Sequence, residues 1–358
     1  MNIAAARVVA FDILLKVEAG GYASDLLMTH SASLEARDAG LAAEIVFGVL
    51  RYRGQLDFLI EHHAGRARKL DLAVRIALRM GFYQLRYLER VPPHAAVKES
   101  VELVKRAHKT SAAGLVNALL RQANREPVLW PTRAIALSCP EWLLSRWEAA
   151  FGAETAVAIA QAALREPEKY VRNSPAGDRM QDIGSQSIVP LLGLEAGQRF
   201  LDLCAAPGNK TAQALEAGVD AVASDLHFHR LRQLKALTAN LVVLDGTQPL
   251  PFARPFDRIL VDAPCSGTGT LGRNPEIKWR LKPEDLDDLR ARQSALLANA
   301  RAALAPGGVL VYATCSLEAE ENEGVTGAVP EALIAGRMRR IPGRDPGDGF
   351  YACVIKSA

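Results

Sequence analysis

The sequence predicts a multidomain protein: an all-α helical bundle, then an α/β fold built on a doubly wound, mostly parallel sheet of seven strands that closes with a β-hairpin. Three observations predict it. Residues 1–128 carry apolar stripes at three- and four-residue steps. From residue 181 onward, short apolar runs alternate with helical segments. The length of 358 residues suits two or three domains at about 100–200 residues each.

In the helical region, Val46, Val49, Leu50, Leu56, Leu59 and Ile60 fit one helical face across residues 44–61. Pro92-Pro93 interrupts, and Val97, Val101 and Val104 then recur at helical steps. Leu115, Val116, Leu119 and Leu120 form a further stripe. Arg51, Arg53, Arg66, Arg68 and Lys69 cluster in sequence, either as a solvated face or as phosphate contacts. Residues 129–180 read as a connector with a helical piece at 142–150. In the domain at 181–358, residues 200–203 form the first strand and a Gly/Pro loop follows. The second, 221–224, ends at Asp225, the third, 241–244, at Asp245, and the fourth, 258–261, at Asp262. The turn Pro306-Gly307-Gly308 leads into the fifth, 309–313. Residues 339–341 and 350–355, with Asp348-Gly349 between them, predict the closing hairpin.

Apolar residues make up 49% and charged residues 23% of the chain, which excludes a largely disordered, collagen-like or coiled-coil protein. No run approaches 18 uncharged apolar residues, and the start has no secretory pattern, so a cytoplasmic location away from membranes is expected. Five widely spaced cysteines without a Cys-x-x-Cys predict free thiols and no metal. Net charge is +3. Residues 1–130 hold 18 Lys/Arg against 13 Asp/Glu, and the remainder 25 against 27. A mildly basic first part suits a polyanionic partner, or ordinary solvated helices.

Ligands of open α/β sheets bind at the carboxyl ends of the strands. The first strand end runs Asp202-Leu203-Cys204-Ala205-Ala206-Pro207-Gly208-Asn209-Lys210-Thr211. Its small residues let backbone approach a ligand, and a helix start follows. Neither a three-glycine dinucleotide pattern nor a phosphate-cradling Gly-Lys-Ser/Thr is present, so redox and NTP chemistry lose ground. Asp225 lies 21 residues beyond Cys204, an offset that suits a ribose diol, and Asp245 suits an adenine amino group. Each acid alone also reads as a cap or surface charge. The fourth and fifth strands end in Asp262-Ala263-Pro264-Cys265-Ser266-Gly267-Thr268-Gly269 and Thr314-Cys315-Ser316. A lone cysteine usually serves as a small buried hydrophobe. Two at the carboxyl ends of two strands, each followed by Ser, are not a typical core pattern.

These motifs resemble those of the RsmB/Sun family of S-adenosylmethionine-dependent RNA cytosine-5 methyltransferases. The helical region resembles a NusB-like RNA-binding domain, most of all at residues 39–57 and 114–122. Arg273-Asn274-Pro275-Glu276-Ile277-Lys278-Trp279, Glu320-Glu321-Asn322-Glu323 and Asp348-Gly349-Phe350 also match, so the resemblance covers nearly the whole chain. It implies a Rossmann-like methyltransferase fold in residues 181–358. It implies that Cys315 is the nucleophile at cytosine C6, that Cys265 assists product release, and that Asp262 and Lys210 support the adduct. It assigns Cys204, Ala205, Ala206, Pro207, Gly208, Asn209, Lys210, Asp225, Asp245 and Asp262 to the cofactor. It points to 16S ribosomal RNA or a partial small ribosomal subunit as partner, and to a monomer. The residues alone would not separate the two cysteine roles.

A flipped cytosine needs single-stranded or loop RNA. The run 267–273 is expected to be flexible enough to border the pocket. Arg273, Lys278, Trp279 and Arg280 could contact RNA, with core packing the alternative for Trp279. Arg172 and Asn173 stand where the family has an Arg-x-Asn element, but they are adjacent here, and a longer segment expected before residue 181 is missing. Competing readings are the same chemistry on tRNA or another RNA, a non-catalytic NusB-type RNA-binding factor, and an amino-group or protein methyltransferase. The last has no need of a cysteine at the fifth strand.

Overall fold

The computed structural model describes residues 3–65, 69–123, 126–175, 177–238 and 240–357. Arg66 and Arg68 of the basic cluster lie outside the described residues. The chain divides into two compact units: Met1–Glu166 with Leu271–Arg280, and Pro167–Thr270 with Leu281–Ala358.

The first unit is helical. It comprises α1 (Ala5–Glu18), α2 (Ala23–His30), α3 (Ala36–Arg51), α4 (Arg53–Ala64), α5 (Leu72–Tyr87), α6 (Pro93–Arg106) and α7 (Ala113–Arg121). Then come α8 (Arg133–Ala136), α9 (Glu141–Phe151) and α10 (Ala153–Ala162). The apolar stripes form its core: Val46, Val49, Leu50, Leu56, Leu59, Ile60, Val104, Val116, Leu119 and Leu120 are all buried. The stripe at 44–61 belongs to two helices rather than one, however. At Tyr52 the backbone leaves helical geometry (φ −98°, ψ 11°), and its ring stacks on Tyr87 at 4.3 Å. Helix α5 lies within the region read as helical, but no stripe marks it in the sequence. It buries Val74, Ile76, Leu78, Met80, Phe82 and Leu85 together with Arg79 and Gln84, so most of its circumference is packed. Arg79 of α5 is buried only because it is paired, with both oxygens of Asp57 and with Glu18, each at 2.8 Å. The helix read at 142–150 is α9, whose Trp147 is fully buried.

The second unit opens with an antiparallel ribbon, β1 (Val171–Arg172) and β2 (Arg179–Met180). This ribbon occupies the shortened stretch before residue 181. The sheet comprises β3 (Arg199–Asp202), β4 (Asp220–Asp225), β5 (Leu241–Val243), β6 (Phe256–Asp262), β7 (Leu304–Thr314), β8 (Ile334–Arg340) and β9 (Phe350–Lys356). Strand order is β5-β4-β3-β6-β7-β9-β8. The first five are parallel, and β9 joins β7 and β8 antiparallel, as the predicted hairpin requires. Alternate residues face opposite layers. Leu201, Ile259, Val261, Leu310 and Tyr312 pack with Leu296, Leu297 and Ala300 of the helix Asp285–Ala302. Phe200, Leu260, Val311 and Ala313 pack on the other face with Ile188, Val189, Leu192 and Ala214. Pro306-Gly307-Gly308 lies inside β7 rather than before it. Pairing runs Phe256 to Leu304 and resumes at Arg258 to Val309, so the three residues sit in an irregularity of the strand.

Candidate active site

The order of the sheet puts β3 next to β4 and β6, and β6 next to β7. Their carboxyl ends therefore bring the first, second, fourth and fifth strand-end motifs side by side. After β3, the chain passes through residues 204–208 into the helix Asn209–Leu215. Gly208 makes the turn at φ +104°, and a Cβ there would meet Leu234 at 2.7 Å, so glycine is required. The loop is anchored to β4: Ala205 N–H donates to Ser224 O at 2.8 Å, and Ala206 N–H to Asp225 Oδ2 at 3.3 Å. Asp225 Oδ1 accepts from His227 N–H at 2.9 Å. Burial, then the charges of Asp202, Asp262 and Asp225, push the Cys204 thiol up.

Asp202, the last residue of β3, is buried. Oδ2 accepts from Thr211 Oγ1 at 2.6 Å, and Oδ1 has no hydrogen-bond partner. Burial pushes this carboxyl up to about 7, helped by the charges of Asp262 and Asp225 and opposed by Thr211 and Lys210. The Lys210 ammonium donates to Asp262 Oδ2 at 2.7 Å and sits 5.3 Å from the centre of the Phe350 ring. Burial alone would lower the Lys210 pKa. The Asp262 charge and hydrogen bond, followed by the charges of Cys315 and Asp202, outweigh burial and raise it. Asp245, by contrast, is exposed and folds back on its own turn, accepting from Thr247 N–H at 2.9 Å and Thr247 Oγ1 at 2.7 Å.

The two cysteines meet. Cys265 Sγ lies 3.4 Å from Cys315 Sγ, both half-buried and unbridged. The Cys315 partner, then burial, then the charges of Cys315 and Glu321, hold Cys265 well above the ordinary thiol range. Gly269 N–H donates to Cys315 O at 2.9 Å and Gly349 N–H to Gly269 O at 2.8 Å. A Cβ on Gly269 would come within 2.6 Å of Gly349 O and 2.8 Å of Cys315 O. That close backbone approach explains the second glycine of Ser-Gly-Thr-Gly and the glycine of Asp348-Gly349. Residues 267–270 are buried by these contacts, so the flexible border read from the sequence is a packed turn.

The residues expected on RNA separate into two groups. Asn173 is exposed, and Arg273 is half-buried. Arg172 is buried and engaged, bonding Gln181 Oε1 at 2.9 Å and both oxygens of Glu216 at 2.7 Å. Lys278 is also buried, its ammonium on Arg51 O at 3.0 Å. Burial lowers its pKa to about 8. Trp279 donates its indole N–H to Leu50 O at 2.7 Å, so the packing alternative is the one realised. A lysine tied to a backbone carbonyl inside the fold is not placed to meet a phosphate. Glu321, Gln293 and Ser316 carry much of the site's bonding; the sequence marks Glu321 and Ser316 only as parts of motifs, assigning neither a task, and does not mark Gln293.

A family model described as 16S rRNA methyltransferase RsmB/F matches residues 189–336, and one described as NusB family matches residues 4–125. The chain is 33% identical to ribosomal RNA small subunit methyltransferase B of Citrobacter koseri, covering 95% of this chain and 96% of the relative. It is 30% identical to the probable ribosomal RNA small subunit methyltransferase B of Bacillus subtilis, covering 99% of each. The Citrobacter alignment spans 412 positions, more than the 358 residues here, so the relative has residues without a counterpart in this chain. The crystal structure of PH0851 matches over the full length of both chains, with a TM-score of 0.78 and 20% identity, which is likeness of fold.

Proposed function

Because this chain belongs to the RsmB/F family of rRNA methyltransferases, which use S-adenosylmethionine, we propose that it makes 5-methylcytosine in 16S ribosomal RNA through a transient Cys315 bond to the base. The observation that carries this reading is the pair of sulfurs 3.4 Å apart, beside the Lys210–Asp262 ion pair at the strand ends.

The strand ends fit a cationic adenosyl cofactor. Small residues at 204–208 leave room for it, carboxylates of Asp202, Asp225 and Asp262 gather there, and Asp202 Oδ1 is buried without a donor. Residues 204–209, Lys210, Asp225, Asp245 and Asp262 would hold it. S-adenosylmethionine supplies an electrophilic methyl group.

Cytosine C5 is a poor nucleophile. The Cys315 thiolate adds its electron pair to C6, and C5 becomes enamine-like and able to take up a methyl group. Asp262 meets the ring edge through the oxygen not paired with Lys210, and Lys210 steadies the negative charge that develops. After methylation, a base removes the C5 proton. The C5–H pair then re-forms the ring double bond and expels the Cys315 thiolate. Cys265, held as a thiol by its neighbour, assists that release. The thiolate, not the thiol, is the attacking form, so the Cys315 proton must leave before addition to C6.

We assign RNA binding to the NusB-like region at 1–128, followed by a connector at 129–180 and the catalytic domain at 181–358. The excess of basic residues in the first region supports this assignment. The test is nucleoside analysis of 16S rRNA incubated with the protein and methyl-labelled S-adenosylmethionine. Label in 5-methylcytidine is expected. Label only in another nucleoside, or in protein, would overturn the proposal.

A further inference from the structure

The run Glu320-Glu321-Asn322-Glu323 has no part in the chemistry above, yet Glu321 is fully buried. Burying a carboxylate is costly unless its oxygens are fully bonded. Here each oxygen faces two donors. Oε1 accepts from Ser266 N–H at 2.8 Å and from Gln293 Nε2 at 2.9 Å. Oε2 accepts from the hydroxyls of both Ser266 and Ser316. These serines directly follow Cys265 and Cys315. One carboxylate thus grips the residue next to each reactive sulfur.

Neighbouring bonds have one consistent direction. Leu317 N–H donates to Thr268 Oγ1 at 2.9 Å, and the Thr268 hydroxyl, 3.4 Å from Ser316 Oγ, leads on to it. Ser316 spends its single proton on Glu321. Gln293, on the helix Asp285–Ala302, also holds Pro264 O at 2.9 Å, just ahead of Cys265. Asn322 Nδ2 holds Ser316 O at 3.0 Å.

We propose that Glu321 is the positioning residue of the cysteine pair, its carboxylate joining the two serines so that the nucleophilic and releasing sulfurs stay in contact. The proposal rests on the roles given above to Cys315 and Cys265. Glutamine at this position keeps the shape but puts an amide N–H2 against two hydroxyl donors, so one side of the grip opens.

The direct readout needs neither RNA nor cofactor. Diamide takes two electrons and two protons from the thiol pair, which becomes a disulfide while the N=N bond becomes a hydrazine. The rate of Cys265–Cys315 disulfide formation, followed by mass spectrometry of alkylated digests, reports how the sulfurs are set. We expect Glu321→Gln to slow it at least tenfold, and to lower kcat for RNA methylation by a similar factor with KM for RNA within threefold. Should Glu321→Gln fail to fold, Ser266→Ala and Ser316→Ala each release one loop and are expected to slow disulfide formation severalfold. Disulfide formation and kcat both within twofold of wild type in the folded variants would overturn the proposal. If instead the wild-type protein makes no adduct with RNA, the cysteine assignment fails while the disulfide rate still reports on Glu321.

Discussion

Burial pushes the Asp202 carboxyl up to about 7 in the folded chain, against about 3.9 unfolded. The folded state therefore holds an extra proton between those values. This group's contribution to stability is fully present below about pH 4 and is lost as pH rises through about 7. Lys210, Asp262, Asp225, Cys204 and Thr211 surround it and share in that balance. Asp202→Asn has no such loss. Its melting temperature relative to wild type is expected to climb from pH 5 to pH 8, by the equivalent of up to about 3 kcal/mol. A pH-independent difference would contradict this. The Lys210–Asp262 pair follows the same rule in a more alkaline window. With the Lys210 pKa raised, its stabilisation is fully present at neutral pH and disappears only in strongly alkaline solution. Lys210→Met is expected to cost about 2–3 kcal/mol at pH 7, by stranding a partly buried carboxylate, and to lower methyl transfer about a hundredfold or more. Wild-type turnover in that variant would remove Lys210 from the chemistry. At this scale the two cysteines were legible, because strand ends converge on one edge whatever the details. Glu321 was not, since a carboxylate's partners are set by the fold, and four donors drawn from residues 266, 293 and 316 leave no local pattern.

Strands β3 to β7 were readable because continuous apolar runs flanked by turns are what a sheet covered on both faces requires. Their ends were less so. Residues 306–308 look like a turn in sequence, but β6 continues to pair on both sides of them. In the helical unit, the stripe at 44–61 concealed a break, because the residues on either side of Tyr52 keep the same apolar face. Helix α5 showed no clean stripe because nearly every position from 73 to 85 is buried, Arg79 and Gln84 included. The segment Leu271–Arg280 shows the limit of local reading most clearly. Basic and aromatic residues suggested an RNA contact, yet Glu276 accepts from Ala23 N–H at 3.0 Å, Arg280 donates to Gly20 O at 2.8 Å, and Lys278 and Trp279 bond α3 carbonyls. Trp279→Ala is therefore expected to destabilise the helical unit by about 2–3 kcal/mol, a partly buried aromatic losing less than a fully buried one. RNA affinity of the folded variant should stay within about twofold. A stacking role would instead cost about 1–3 kcal/mol of binding, seen in a filter-binding titration, without a change in melting.

Across the whole chain, the relatives at 30–33% identity cover 95–99% of it, and the two family models fall on the helical and sheet-bearing parts. Among the described residues no helix is long and apolar enough to cross a membrane. The chain is shorter than its Citrobacter relative's alignment, and a two-stranded ribbon occupies the stretch before residue 181 where the sequence reading missed a longer segment. With Arg172 committed to Glu216 there, the proposed binding of RNA rests more heavily on the basic helical region. RNA affinity is accordingly expected to fall steeply with salt, log Kd rising linearly with log salt concentration, while S-adenosylmethionine binding changes little. The central claim is a covalent Cys315 adduct, and one measurement reaches it most directly. Cys265→Ala protein is incubated with S-adenosylmethionine and 16S rRNA beside Cys315→Ala, and both are run on a denaturing gel. The account predicts a slow-migrating protein–RNA band in Cys265→Ala alone. A band in Cys315→Ala alone, or none in either beside an inactive wild type, would contradict it.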